Sequence, residues 1–182
     1  MSIQINYKNS GSKKPSTNVV LFTDDKFNIN NLKKYISNSE FSYISDLLKA
    51  CDLKKNLLVF EANSKKKIIL ISIKENLEIT NIENLGAEFY SYINYRNKGE
   101  FIINADSIKS KIEDFIGYFL HGLKLKSYEF NIYKSKKEKK LFLLNIIGKK
   151  SKLTIKNELK FKALEEGSFY ARDLVSEPGN IL

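Results

Sequence analysis

Among its 182 residues the chain has one cysteine, Cys51, one histidine, His121, two prolines, no tryptophan and only two arginines, Arg96 and Arg172. Each scarcity closes off a class of chemistry. A lone cysteine excludes an intramolecular disulfide and any zinc site built from several thiolates, so its plainest role is that of a small buried hydrophobe. A lone histidine excludes a paired-histidine metal site. A serine triad would have to borrow that same ring, and Gly-x-Ser-x-Gly is missing. The eight glycines form no Gly-x-Gly and no phosphate loop, which leaves a nucleotide cradle without its usual backbone approach. No apolar run reaches the ~18 residues of a membrane span, and the opening Met1-Ser-Ile-Gln-Ile-Asn6 lacks a basic-then-apolar leader. A soluble cytoplasmic protein is the expectation.

What is present is apolar mass and lysine. Hydrophobic residues make up 42% and aromatics 12%, enough to fill one core in a chain of this length. The net charge of +10 raises nucleic acid as a partner, because a basic face neutralises phosphates. Against it, nearly all of the 31 basic residues are lysine, whereas groove and phosphate recognition favours the planar guanidinium. A solvated lysine surface is the simpler reading, with a DNA-binding module kept as the alternative.

Periodicity divides the chain into alternating strands and helices. Ile3, Ile5 and Tyr7 alternate as a strand, and Val19–Phe22 is apolar throughout, as in a strand covered on both faces. Helical spacing of Phe41, Ile44, Leu47 and Leu48 predicts a helix over 39–50. Leu57–Phe60 and Ile68–Ile71 flank a turn-rich stretch and read as a hairpin. Thr80-Asn-Ile-Glu83 matches a capping box before a helix that carries Ile82, Leu85, Phe89 and Ile93 and stops near Gly99. Phe101–Ile103 reads as a buried strand. A further helix capped by Asp106, Ser107 or Ser110 places Ile112, Phe115, Ile116, Phe119, Leu120 and Leu123 on one face. Tyr128, Phe130 and Ile132 alternate as a strand, Leu141–Ile147 forms another suited to a central position, and a long helix runs from about Asn157 to Ser176. That last helix aligns Leu164, Gly167, Ser168, Ala171, Leu174 and Val175. Strands alternating with helices, together with a hairpin, predict an α/β fold, a three-layer sandwich with a mixed sheet flanked by helices.

Residues that carry chemistry are few. Acidic groups such as Asp24-Asp25 and Glu165-Glu166 are neighbours in sequence and expected at the surface, since paired charges are strongly disfavoured in a core. His121 falls near the C-terminal end of its helix, and a structural role is expected. No catalytic, cofactor-binding or metal-ligating residue is assigned. Arg172-Asp173 is the polar pair that stands out. The arginine could neutralise Glu165 or Glu166 while the aspartate faces water, or the guanidinium could tie this helix to a further domain through paired hydrogen bonds.

The helix carrying Ala171, Leu174 and Val175 is stopped by Pro178, and Gly179-Asn180 then turn the chain. This block, with Gly167, Ala171, Arg172, Asp173, Leu174, Val175, Pro178 and Asn180, resembles the junction of the leucyl aminopeptidase (cytosol aminopeptidase) family, where an N-terminal domain hands over to a catalytic one. A second block, Phe119-Leu-His-Gly-Leu-Lys-Leu-Lys-Ser-Tyr-Glu-Phe-Asn-Ile-Tyr-Lys134, is similar to the family's helix end, turn and strand, with Asn131 where an aspartate is usual. A weaker match is Leu85-Gly-Ala87. The resemblance implies a macro-domain-like fold over 1–155, a linker helix and junction over 156–182, and a non-catalytic role. Interdomain contact would fall to Arg172, Asp173, Pro178 and Asn180. It further implies a catalytic domain holding two divalent ions, zinc or manganese, an assembly into hexamers and peptide substrates for the whole enzyme. The family's lysine-aspartate and asparagine-threonine-aspartate-alanine-glutamate-glycine motifs are absent from these residues. Because the implied fold elsewhere binds ADP-ribose, a macro-like nucleotide-binding domain stands as a further alternative, and some relatives bind DNA through this domain.

Overall fold

A computed structural model describes residues 2–8, 17–96, 99–133, 141–151 and 155–179. Six strands form one mixed sheet: β1 (Ser2–Lys8), β2 (Asn18–Asp24), β3 (Leu57–Asn63), β4 (Lys66–Ile73), β5 (Glu100–Asn104) and β6 (Leu141–Ile147). Their order across the sheet is β1-β6-β5-β2-β4-β3. Every pairing is parallel except the β3–β4 hairpin, which closes one edge in antiparallel register with Leu58 opposite Leu70. β6 lies inside the sheet between β1 and β5, while the two middle strands are β5 and β2.

Parallel strands need long crossovers, and these supply the covering layers. Helices α2 (Ile79–Arg96) and α3 (Phe115–Lys126) cover one face. There Val20 and Phe22 of β2, Ile69 and Ile71 of β4, Phe101 and Ile103 of β5 and Leu144 of β6 meet Ile82, Phe89, Ile93, Phe119 and Leu123. Phe22 stacks edge-on against both Phe115 and Phe119, at centroid distances of 5.6 and 5.4 Å. The other face of β2, β3 and β4 is covered by α1 (Asn38–Leu48) and a short 3-10 turn, with Leu21, Phe60 and Leu70 packed on Leu32 and Ile44. Cys51 is half-buried at the margin of this second core. Helix α4 (Ile155–Ser176) lies outside α3. The fold is the three-layer α/β sandwich that the alternation of periods predicts. Among the described residues, no helix is long and apolar enough to cross a membrane.

Several local expectations are corrected. The capping box sits at Ser37, not Thr80: Ser37 Oγ accepts from Glu40 N–H at 3.2 Å, and Glu40 returns the favour to Ser37 N–H at 3.0 Å. Thr80 is already inside α2, whose start is held by Glu78 N–H donating to Asn81 Oδ1. The third amphipathic helix begins at Phe115, later than expected, because Asp114 adopts a left-handed conformation with φ 55° that interrupts the helical path from Ile112. Asp106 and Ser107 fall instead in a 3-10 turn, and Ser110 accepts from Ile112 N–H at 3.1 Å. Tyr128–Ile132 is not a strand: the segment leaves α3 and runs beside α4, where its rings find side-chain partners that replace a ladder. The lysine-rich stretch at 134–140 and the junction residue Asn180 lie outside the described residues.

Candidate functional site

Two glycines set the geometry of the helix layer. A Cβ on Gly86 of α2 would stand 1.9 Å from the Phe119 carbonyl oxygen of α3, and one on Gly122 of α3 would stand 2.0 Å from the Glu83 carbonyl oxygen. Only hydrogen fits at either crossing, so α2 and α3 approach backbone to backbone. The next residue toward the N-terminus, His121, is therefore held between carboxylates from two other helices. Its Nε2 lies 4.0 Å from Glu83 Oε1, and its Nδ1 lies 3.6 Å from Glu165 Oε1 of α4. Lys124 donates to the second Glu165 oxygen at 2.8 Å. The imidazole is buried, rests against Phe161 at 5.8 Å, and its Nδ1 has no hydrogen-bond partner. This cluster explains how a glutamate, Glu165, remains only 8% exposed. Through Glu165, bonded to Lys124 of α3, the cluster brings α4 against the α2–α3 pair. Nothing in the sequence pattern marks Glu83 and Glu165 as neighbours of His121.

The second fastening lies farther along α4 and contains the singled-out pair. Arg172 Nη1 donates to the Leu125 carbonyl oxygen at 2.6 Å, and its guanidinium lies 5.5 Å from the Tyr128 ring centroid. Lysine could not reproduce both contacts, since the planar group stacks while its edge donates. Asp173 Oδ1 accepts from Tyr128 Oη at 2.7 Å. Partial desolvation, and next this bond to Asp173, hold the Tyr128 hydroxyl above its ordinary ionisation range. Tyr133 likewise donates to Glu177, and that bond raises its hydroxyl. Arg172 therefore stands on the C-terminal carbonyl end of α3, where a cation is favoured by the helix dipole, and makes no bond to Glu165 or Glu166. Pro178 follows the helix, exposed, after Glu177 N–H closes the last turn on Asp173 O at 3.0 Å. Tyr128 is not legible as a partner because its alternation with polar residues reads as a strand, and Tyr133 stands outside that alternation with no local signal.

Open grooves of about 410 Å³, beside Ser110, Lys111 and Asp114, and of about 530 Å³, beside Asn94, Tyr95 and Lys126, lie on the surface. β2 and β5 are neighbours whose following connections leave for opposite faces of the sheet, the place where open α/β sheets form a crevice. The cleft there holds about 100 Å³, between Asp24, Lys34, Tyr35, Asp106 and Lys109. Ordinary small-molecule pockets start near ~300 Å³. Ser107 narrows it, accepting from Phe22 N–H at 2.9 Å and donating to Asn104 O at 2.7 Å. A groove of about 320 Å³ runs between β1 and α4, with Tyr7, Lys124, Glu158 and Lys162 at its walls. Burial first, then the charges of Glu158 and Glu165, push the Tyr7 hydroxyl up to about 12.

For a pair of divalent ions the donor set does not fit: among the described residues no three His, Cys, Asp or Glu side chains converge as ligands. His121 turns its two nitrogens toward different carboxylates, so the ring and both glutamates cannot serve one ion.

No family model and no curated protein matches the sequence. Solved structures do match. A point mutant of tomato leucine aminopeptidase aligns with 100% of this chain and 40% of its own, at 18% identity and a TM-score of 0.69. The bottromycin maturation enzyme BotP in complex with Mn aligns with 90% of this chain and 32% of its own, at 11% identity and a TM-score of 0.59. The macrodomain of Thermus aquaticus DarG aligns with 81% of this chain and 99% of its own, at 7% identity and a TM-score of 0.52. At such identities the likeness is one of fold. The chain thus has a macro-like three-layer α/β fold, and it spans 40% of the tomato enzyme it resembles.

Proposed function

We propose that this chain is the N-terminal, non-catalytic domain of a leucyl-aminopeptidase-like enzyme that removes N-terminal residues from peptides with two divalent ions. The observation that carries this reading is the alignment of the whole chain, final helix included, with less than half of tomato leucine aminopeptidase. The Ala171-Arg172-Asp173-Leu174-Val175 block supports it from the sequence side, because it resembles the family's domain junction. In this reading the zinc or manganese ions belong to the catalytic domain, whose chemistry is water activation and Lewis-acid polarisation. The residues described here hold α4 in a fixed attitude through His121, Glu165, Arg172 and Asp173. From that attitude the chain packs against the catalytic domain and contributes to a hexamer.

Hydrolysis of a leucine amide tests the proposal. The complete gene product with manganese or zinc is expected to turn over, and residues 1–182 alone are expected to give the buffer rate. Clear turnover by residues 1–182 alone would overturn it.

A further inference from the structure

The two edges of the sheet are built differently. At one edge β3 shifts register between Glu61 and Asn63, and the Glu61 carboxylate lies 3.2 Å from Lys67 Nζ. A bulge and charged side chains deter a further strand from pairing there. At the other edge β1 has neither. Its seven residues run in unbroken parallel register with β6, from Ser2 beside Leu141 to Lys8 beside Ile147. Among the described residues β6 is the one strand that β1 pairs with, so a row of its backbone N–H and C=O groups faces away from the sheet. From Ser2 to Tyr7 the strand carries no charge, no proline and no glycine.

The side chains of β1 divide by face. Ile3, Ile5 and Tyr7 line the groove of about 320 Å³ beside Leu120 and Phe161, with both isoleucines half-buried and Tyr7 48% exposed. Gln4 and Asn6 take the opposite face, where Asn6 donates to Asn145 Oδ1 of β6 at 3.4 Å. The apolar residues that border the free edge are thus incompletely covered by their own chain.

The strand is also its own complement. Two copies laid antiparallel with Ile5 opposite Ile5 place Ile3 opposite Tyr7 and Gln4 opposite Asn6, each twice. Directly opposed side chains share a face of the sheet, with Cβ atoms about 4.5–5.5 Å apart. Apolar therefore meets apolar on the groove face, and amide meets amide on the other. Lys8 falls opposite Ser2, so no like charges are opposed. A slip of one residue sets Ile3 against Asn6 and Gln4 against Ile5, which mixes the faces.

We infer that β1 is the docking edge for a second copy of this chain, the two strands pairing antiparallel about Ile5 so that the two sheets become one. The free backbone row then gains a ladder, and Tyr7 of the second copy lies at the margin of the groove beside Ile3. This contact needs nothing from a following domain and stands apart from the aminopeptidase reading.

Sedimentation velocity on charge-substituted variants tests the edge and the register together. Residues 1–182 contain both cores on their own and serve as the test protein. The unsubstituted chain is expected to form a dimer whose population rises with concentration. Gln4→Lys with Asn6→Lys sets lysine opposite lysine twice across the two-fold and is expected to weaken association at least tenfold. Gln4→Lys with Asn6→Glu sets lysine opposite glutamate at the same places and is expected to restore it. Both variants lose the bond from Asn6 to Asn145, so a difference between them reads the pairing and not the fold. An unsubstituted chain that stays monomeric at its highest soluble concentration would overturn the inference. Equal association by the two variants would also overturn it, by placing the contact elsewhere on the surface. So would β1 amides that exchange slowly only in the complete gene product, which would assign the edge to another part of the polypeptide.

Discussion

Gly122 lies so close beneath Glu83 that a Cβ added to it would stand 2.0 Å from the Glu83 carbonyl oxygen. This contact fixes the α2–α3 crossing, and through it the position of His121 and the attachment of α4. Substitution should reveal it plainly. Gly122→Ala and Gly86→Ala must each displace backbone and are expected to destabilise the fold by about 1–3 kcal/mol or more. Gly167→Ala meets no atom within 4 Å and is expected to stabilise residues 1–182 by about 1 kcal/mol. Urea denaturation of the three variants checks this. A destabilised Gly167→Ala would mean that an internal contact uses this glycine.

Arg172 is expected to matter by shape as well as charge. Arg172→Lys keeps the cation but loses the stacked plane over Tyr128, and the bond to Leu125 O with it. Amide exchange in 169–177 should accelerate severalfold in this variant, while exchange in the sheet stays as it was. The site is exposed, so global stability should change by no more than about 1 kcal/mol.

Glu40 gives a pH prediction. Burial works to raise its carboxyl, but hydrogen bonds from Lys66 at 2.6 Å and from Ser37 N–H outweigh it and hold the group below its ordinary value. A folded-state value below the unfolded one means that the unfolded chain binds the proton more readily. The stabilisation is then complete above the unfolded carboxylate range, near pH ~4.3, and is lost as pH falls through the folded value. Glu40→Gln should therefore reduce stability at pH 7 and flatten its decline below pH ~4. A decline as steep as that of the unsubstituted protein would place the acid-sensitive group elsewhere.

Much of the fold is legible in the sequence where one physical cause dominates. Val19–Phe22 and Ile68–Ile71 are apolar throughout because both sheet faces are covered, and the interval of Ile82, Leu85, Phe89 and Ile93 marks the face of α2 that the sheet buries. Legibility fails where two causes compete. Tyr128–Ile132 has a strand's alternation, yet Tyr128 pairs with Asp173, and Tyr133 just beyond it with Glu177, each across more than forty residues, a relation no local window contains. Thr80-Asn-Ile-Glu83 and Ser37-Asn-Ser-Glu40 carry the same capping signature, but α2 already begins at Ile79, so only Ser37 stands at a helix start. For α4, periodicity identifies an apolar face without saying what covers it. The structure turns that face outward, away from α3. The pair Arg172-Asp173 is legible as unusual, but its partners Leu125 and Tyr128 emerge only once α3 and α4 are laid side by side.

The central claim is that the liganding atoms for a two-metal peptidase lie outside residues 1–182. Anomalous scattering from a manganese-soaked crystal of the complete gene product tests it most directly. Two strong peaks, coordinated wholly by side chains beyond residue 182, are the expected result. A manganese peak coordinated by side chains of the residues described here would contradict the account.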